Sequence, residues 1–315
     1  MLQILGGKII MNNITKSLIS IVSDLDTTPE GAYNIRENGK CAARHSNEYV
    51  EIIPKSDKPG IDIKVKANTK GEKVYIPAIV TEDEVHDLVY NDFYIGENAD
   101  VIIVAGCGVH NDGCGTAEHN GVHRFFIGKN ARVVYEEKHI GTGEGSGKRI
   151  INPETYVEMD DNSYMEMNTI QIEGVDSTAR KCKGILKSNA KLIVKEKIMT
   201  HGKQFASTDF EVDLNGEDSG VNLISRSVAK GDSTQCFVSK INGNTKCTGH
   251  SECDAIIMDN GKVTARPELT ANCIDASLIH EAAIGKIAGE QLIKLMTLGL
   301  TEEEAEARIV EGFME

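Results

Sequence analysis

Four Asn-centred segments recur along the middle of this chain: Ile95-Gly96-Glu97-Asn98-Ala99-Asp100-Val101, Ile127-Gly128-Lys129-Asn130-Ala131-Arg132-Val133, Met159-Asp160-Asp161-Asn162-Ser163-Tyr164-Met165 and Leu186-Lys187-Ser188-Asn189-Ala190-Lys191-Leu192. The four Asn residues stand 32, 32 and 27 positions apart. Self-similarity at a period of this size marks stacked structural repeats. Each unit has an apolar residue, a polar turn holding the Asn, and a short alternating run. Asn tolerates the left-handed backbone of a tight turn, and the alternation has the period of a half-buried strand. Many short strands joined this way predict a mainly β fold, a parallel β-helix (solenoid) in which each coil covers the apolar face of the last. A β-sandwich or barrel would share the strand-and-turn rhythm.

The pattern divides the chain in three: an N-terminal α/β segment over 1–90, the β-helix core over 91–275 and a C-terminal helical domain over 276–315. Asn12 to Ser23 carries a weak helical signal, and Tyr49–Ile53 and Ile61–Val65 look like strands leading into the core. Thr81 to Tyr90 reads as a helical turn, with Thr81 and Glu84 fitting a capping box. Ala276–Leu298 and Glu302–Phe313 read as a helical hairpin. Gly299 stops the first helix, and Thr301 with Glu304 caps the second. Ile287, Leu292, Leu295, Met296, Leu298, Ile309, Val310 and Phe313 give this hairpin many apolar groups. They either cap the rod and pack on each other or form a helix-in-groove docking surface for a partner protein.

The formal net charge is −14, which disfavours nucleic acid, whose binding needs a basic footprint, and anionic membrane surfaces. No stretch reaches the roughly 18 apolar residues of a membrane span. Met1 to Lys8 lacks the basic leader and apolar region of a signal peptide, and either Met1 or Met11 could be the start. The eight cysteines are then expected to be reduced in a cytoplasmic protein. Reduced cysteines serve as small buried hydrophobes or as metal and redox ligands.

Five of the eight lie in two groups that also contain His. The first is Cys107-Gly-Val-His110-Asn-Asp-Gly-Cys114-Gly-Thr-Ala-Glu118-His119-Asn-Gly-Val-His123. Its glycines permit tight folding, and thiolate with imidazole suits zinc or iron–sulfur chemistry. The spacing fits no standard zinc finger, and a polar loop with exposed His residues would look the same. The second is Cys247-Thr-Gly-His250-Ser-Glu252-Cys253-Asp254, followed by Cys273 and by His280-Glu281 at the start of the expected helix. Cys, His and Cys at three-residue steps could meet at a strand corner, though Cys253 could equally alternate inward as core. The Gly-rich run Gly141 to Arg149 is no P-loop, because Thr142 and Arg149 occupy positions that need Gly and Ser or Thr. The dinucleotide spacing fails at Ser146, so no nucleotide site is expected in this chain.

Gln171-Ile-Glu-Gly-Val-Asp-Ser-Thr, Ser225-Arg-Ser-Val-Ala, Gly249-His-Ser-Glu-Cys-Asp, Ala265-Arg-Pro-Glu-Leu and His280-Glu-Ala-Ala-Ile-Gly-Lys-Ile-Ala-Gly-Glu-Gln-Leu resemble the SufB/SufD proteins of the SUF iron–sulfur assembly system. The ending Gly299-Leu-Thr-Glu-Glu-Glu-Ala to Phe313 is similar to the family's own. The resemblance runs from about Asn98 onward. It implies a right-handed parallel β-helix, C-terminal helices that bind a SufC-like ABC ATPase, and a homodimer through the late coils. Without a long N-terminal helical region, the chain looks like the compact SufB-like form of archaea and anaerobic bacteria. The resemblance further implies a non-enzymatic scaffold holding a nascent iron–sulfur cluster, with [4Fe–4S] the favoured type. Sulfur would come from a cysteine desulfurase or another donor. His280 and Glu281 match the family's His-Glu at the subunit junction. Gly261 stands where larger SufB proteins have a Cys, so other ligands are needed. Cys253 and Cys273 come first, then Cys247 and His250, then Cys107, His110, Cys114 and His123. A zinc- or iron-dependent enzyme on a β-solenoid and a cluster-free adaptor of the ATPase are the competing readings.

Overall fold

Period-two alternation runs through most of the chain and fixes its architecture. The computed structural model describes residues 4–5, 8–9, 12–27 and 29–315; the choice between Met1 and Met11 lies outside the described residues. A small antiparallel pair, β1 (Ile4–Leu5) and β2 (Lys8–Ile9), precedes helix α1 (Asn13–Ser23). Six short strands follow: β3 (Ala32–Glu37), β4 (Lys40–His45), β5 (Val50–Pro54), β6 (Gly60–Val65), β7 (Lys70–Tyr75) and β8 (Ala78–Val80). Longer strands then alternate between two sheets: β9 (His86–Ile95), β10 (Asp100–His110), β11 (Ala117–Ile127), β12 (Arg132–Thr142), the split pair β13 (Arg149–Ile151) and β14 (Glu154–Met159), β15 (Tyr164–Glu173) and β16 (Ser177–Leu186). The series ends with β17 (Lys191–Thr200), β18 (Phe205–Leu214), β19 (Ser219–Ala229), β20 (Thr234–Gly243), β21 (Cys247–Ile257), β22 (Lys262–Ala271) and β23 (Ala276–Gly285), before helices α2 (Gly289–Thr297) and α3 (Glu302–Met314).

One sheet runs β23-β21-β19-β17-β15-β12-β10-β7-β3-β4 and the other β22-β20-β18-β16-β13-β11-β9-β6-β5. Each coil gives one strand to each sheet, the coils stack in parallel, and about eight turns form the expected β-solenoid. The register Asp100↔Arg132↔Tyr164↔Lys191 reproduces the Asn spacing. Asn98, Asn130, Asn162 and Asn189 all take the left-handed backbone, with φ of 58°, 56°, 57° and 57°. Their amides also stack: Asn130 Nδ2 donates to Asn98 Oδ1 (3.0 Å), and Asn98 Nδ2 to Asn68 Oδ1 (3.1 Å). Asn68 carries the ladder into the preceding coil, so the lead-in strands β6 and β7 already belong to the stack. Asn130→Ala should therefore lower stability by about 1–2 kcal/mol, the cost of a left-handed residue with a Cβ and no local polar partner. Chaotrope unfolding of the variant measures this.

Inward side chains of both sheets interlock into one apolar core that includes Phe93, Phe125, Met165, Leu192, Leu223 and Ile241. Phe93 and Phe125 stack at 4.3 Å, one coil apart, with Tyr135 edge-on to Phe125. Helix α1 packs Leu18, Ile19 and Val22 against Ile35 and Ile79 on the outer wall. Gly106 makes its seat, since a Cβ there would stand 2.5 Å from Val22 Cβ.

Two expected helices are corrected. Thr81 to Tyr90 is a turn followed by the start of β9. The Thr81 N–H is satisfied by Asn38 Oδ1 at 2.7 Å instead of by a helix, and Glu84 has φ 60°. Ala276 to Gly285 is a strand paired along its length with β21. Its Ala, Leu, Ile and Glu content fits a helix, but the exposed backbone of β21 offers a ladder that propensity alone cannot foresee. The first C-terminal helix starts only at Gly289. Helix α3 does form with the Thr301–Glu304 capping box, whose bonds measure 3.2 and 2.8 Å. The two helices leave the end of the rod open. The tip of α3 lies on the outer wall, where Lys197 Nζ donates to the Glu315 carbonyl (2.7 Å) and Arg226 Nη1 approaches that of Phe313 (3.5 Å).

Candidate functional site

An inward polar side chain in such a rod is sealed from water and must find its partners inside. A seam of such residues crosses the first coils. The ladders bring Asp87 of β9 over His119 of β11, and Cys107 of β10 over His139 of β12. Arg36 of β3 donates to Asp87 through Nε (2.8 Å) and Nη2 (2.6 Å), and His119 Nδ1 lies 3.0 Å from the same carboxylate. Glu137 accepts from Arg180 Nη1 of β16 (2.6 Å) and from the Tyr135 hydroxyl (2.9 Å). That hydroxyl in turn accepts from His123 Nδ1 (2.8 Å), and Asn91 Nδ2 sits 3.3 Å from His123 Nε2. The seam continues through Arg180 Nε, 3.5 Å from Glu196, which accepts from Thr208 and Ser225 at 2.8 and 2.9 Å.

The charges follow from these contacts. Burial raises the Cys107 thiol, but the neighbouring His119 and His139 outweigh it and bring it down to about 7. Burial disfavours the His119 cation, yet the Cys107 thiolate and Asp87 raise it to about 10. His139, opposed by burial and favoured by Glu137, rises to about 9. His123 falls to about 4, chiefly through burial, and is neutral as its bonds to Tyr135 and Asn91 require. Arg36 and His119 hold Asp87 well below the usual carboxylate range against the effect of burial. His119 and His139 thus favour ionisation of the buried Cys107 thiol, and the thiolate is the nucleophilic and metal-binding form of cysteine. A cavity of about 20 Å³ beside it is lined by Asn34, Arg36, Arg44, Asn91 and His119, among others; it has room for one water-sized guest. Burial pushes the Cys182 and Cys253 thiols up to about 12.

The open end of the rod holds a second group. Cys247 and Cys253 of β21 face inward and are buried. His250 faces outward, with Nδ1 2.8 Å from Asn222 Oδ1 and Nε2 3.6 Å from Glu281. On β23, His280 lies over Ser251 and Glu281 over Glu252. His280 Nδ1 is buried without a partner, while Glu281 is largely exposed. Cys273 is half-buried in the turn before β23.

A family model described as "SUF system FeS cluster assembly, SufBD core domain" matches residues 86–313. The chain belongs to the SufBD family. An iron-sulfur cluster assembly SufBD family protein of Archaeoglobus fulgidus is 28% identical over 284 residues, covering 88% of this chain and 73% of that protein. One of Methanocaldococcus jannaschii is 27% identical, covering 80% and 82%. One of Methanothermobacter thermautotrophicus is 28% identical over 75% of this chain, which spans 57% of that protein's length. The matched region of this SufBD chain opens at the first residue of β9 and closes within α3, so it takes in both the seam and the open end.

The residues singled out in the sequence are brought together only in part. Cys107 and His123 both face the core, but His123 serves Tyr135 while the residues flanking Cys107 are His119 and His139. His110 lies at the outer end of β10, bonded to Thr142 (3.0 Å) and Asp112 (2.9 Å), and Cys114 is exposed in the following loop. Cys107 to His123 therefore does not form one cluster, because most of it is strand and alternation splits its side chains. Cys247, His250 and Cys253 likewise share a single strand, with His250 on the opposite face from the two thiols. His280 and Glu281 also sit on opposite faces of a strand, where a helical start was expected. Among the described residues, no three His, Cys, Asp or Glu side chains converge closely enough to hold a metal ion. Sequence reasoning missed Asp87, Glu137, His139, Arg180 and Glu196. The 32-residue period held the signal for two of them, since it places His139 over Cys107 and His119 over Asp87.

Proposed function

We propose that this SufBD chain is a scaffold on which a nascent iron–sulfur cluster is held, working as a homodimer joined at the late coils. A SufC-like ABC ATPase sits on α2 and α3 and supplies the energy. The observation that carries this reading is the uncovered last coil. The inner face of β22 and β23 continues the core ladders, yet Leu269 and Ile284 are exposed, and so is the adjacent Ile274 at 98%. A sheet end of this kind, with unpaired backbone and apolar side chains, calls for another surface. His280, with its unpartnered nitrogen, belongs to that junction. Ile293 and Met296 of α2 and the C-cap residue Leu298 are exposed while α3 is braced on the wall, an arrangement suited to helix docking. The cluster is cargo, and [4Fe–4S] is the type this reading favours.

The test is anaerobic reconstitution of the chain co-purified with its ATPase, assayed for iron and acid-labile sulfide. We expect both in the wild type and a loss of about tenfold or more in His280→Ala. A complex without labile sulfide, or a variant that loads as fully as the wild type, defeats the reading. Ile293→Asp combined with Leu298→Asp should separately abolish co-purification of the ATPase.

A further inference from the structure

The hairpin of β3 and β4 closes one sheet at the first-coil end of the rod, and it carries cations inward. Ala32 of β3 lies in the core, so by alternation Asn34 and Arg36 face the same way. Arg44 of β4 stands opposite Asn34 in the antiparallel register, and its Nε donates to Asn34 Oδ1 at 2.9 Å. All three side chains line the cavity of about 20 Å³ beside Cys107, together with His119 of β11. His119 Nδ1 lies 3.0 Å from Asp87, and a neighbouring carboxylate favours the imidazolium. Ile61, Ile76 and Val89 make much of the remaining wall apolar. Among the described residues no carboxylate lines this space, although the chain as a whole carries a net charge of −14. Several donors are also left over. Arg36 uses Nε and Nη2 on Asp87 and the Gly39 carbonyl, which leaves Nη1. Arg44 Nη1 and Nη2 and Asn34 Nδ2 have no acceptor among the described residues, and Asn34 is only 7% exposed.

We propose that this cavity is a binding site for a small monatomic anion, chloride above all, held by Arg36, Arg44 and Asn34 of the hairpin and by His119 of the core. The site stands apart from the scaffold reading and does not depend on it. Burying cations behind an apolar wall is costly unless a counter-charge accompanies them. Asp87 answers Arg36 and His119, whereas Arg44 has no carboxylate partner among the described residues. Hydrogen bonds from charged donors are the strong ones, and charges attract more strongly in the interior than in water. Both effects favour an anion over a water molecule here. The space admits one water-sized guest, so it takes a halide and rejects sulfate or an organic acid. Cys107 shares the wall, and an anion beside it favours the protonated thiol over the thiolate. The bound anion fastens the hairpin, through its two arginines, to the core strand that carries His119.

Amide exchange of the purified full chain in sodium chloride, bromide or gluconate, at one ionic strength, tests the site. Exchange in β3 and β4 should slow by about tenfold once chloride reaches about ten times its dissociation constant, as linkage requires. Bromide should act like chloride and gluconate should have no such effect. Strands β22 and β23, which open at the far end of the rod, should not respond. Arg44→Gln removes one cation and should abolish the chloride response, whereas Lys203→Gln, at an exposed position, should keep it. If Arg44→Gln does not fold, a wild-type crystal soaked in bromide reads the site directly, through an anomalous peak among Arg44, Asn34 and His119. Equal exchange in chloride and gluconate overturns the proposal, and a bromide peak found alongside it is then an adventitious ion only. An undiminished chloride response in Arg44→Gln also overturns it, because the response is then a general salt effect.

Discussion

Replacing Arg180 by methionine should destabilise the fold by about 3–5 kcal/mol, because removing one partner leaves the other charges buried and uncompensated. Arg180 is 5% exposed, Glu137 1% and Glu196 2%. It donates to Glu137 at 2.6 Å and lies 3.5 Å from Glu196, tying one sheet to the other across the core. The Arg180 cation is what holds Glu137 far below the carboxylate range against burial, whereas Glu196 remains raised by burial. Pairing Arg180→Met with Glu137→Gln should recover part of the loss, since neither charge is then stranded. Chaotrope unfolding of the three proteins decides the matter. A single variant within about 1 kcal/mol of wild type would show that this strut carries little of the fold.

Stability should also fall steadily as pH rises through neutrality, against the usual expectation of a plateau between about pH 5 and 8. His119 and His139 have raised values, about 10 and 9, against 6.5 when unfolded. Their contribution is complete below 6.5 and is lost as pH rises through the folded values. Cys107 is depressed from 9.0 to about 7, so its contribution is present above 9.0 and lost as pH falls through 7. Between pH 7 and 9 the folded chain holds two protons on this trio and the unfolded chain one. The stability should then drop by about 1.4 kcal/mol per pH unit, or about 3 kcal/mol over that window. Asp87, held low, adds a separate loss as pH falls below its ordinary 3.8. Unfolding midpoints measured from pH 6 to 10 test the slope. A flat profile, in wild type and in Cys107→Ser alike, would mean that the trio is not charged as its contacts require.

The rod itself was legible because its signal is repeated. Asn98, Asn130, Asn162 and Asn189 mark the same corner of successive coils, and left-handed backbone there has few other occupants. The seam was harder to see for a physical reason. His139, Glu137 and Arg180 lie in runs of charged residues that read as solvated faces, and only the coil-to-coil register shows that every second one points inward. Asp87 was lost because Thr81 and Glu84 mimic a helix cap. His280 and Glu281 were placed on a helix because Ala, Leu, Ile and Glu satisfy both periods over a few residues, and the deciding factor was the free edge of β21. Cys253 turned inward, as its apolar neighbours allowed.

The last coil has a neighbour on one side only, and Lys286 to Ala288 is all that separates it from α2. A stack of this kind unzips from its ends, because each rung is secured mainly by the rungs beside it. Amide exchange should therefore be fastest in β22 and β23 and slow toward the middle of the rod. Any pull on the two helices is delivered first to the least protected rung, the one that carries His280, so the end of the molecule can fray and reclose while the charged interior stays shut.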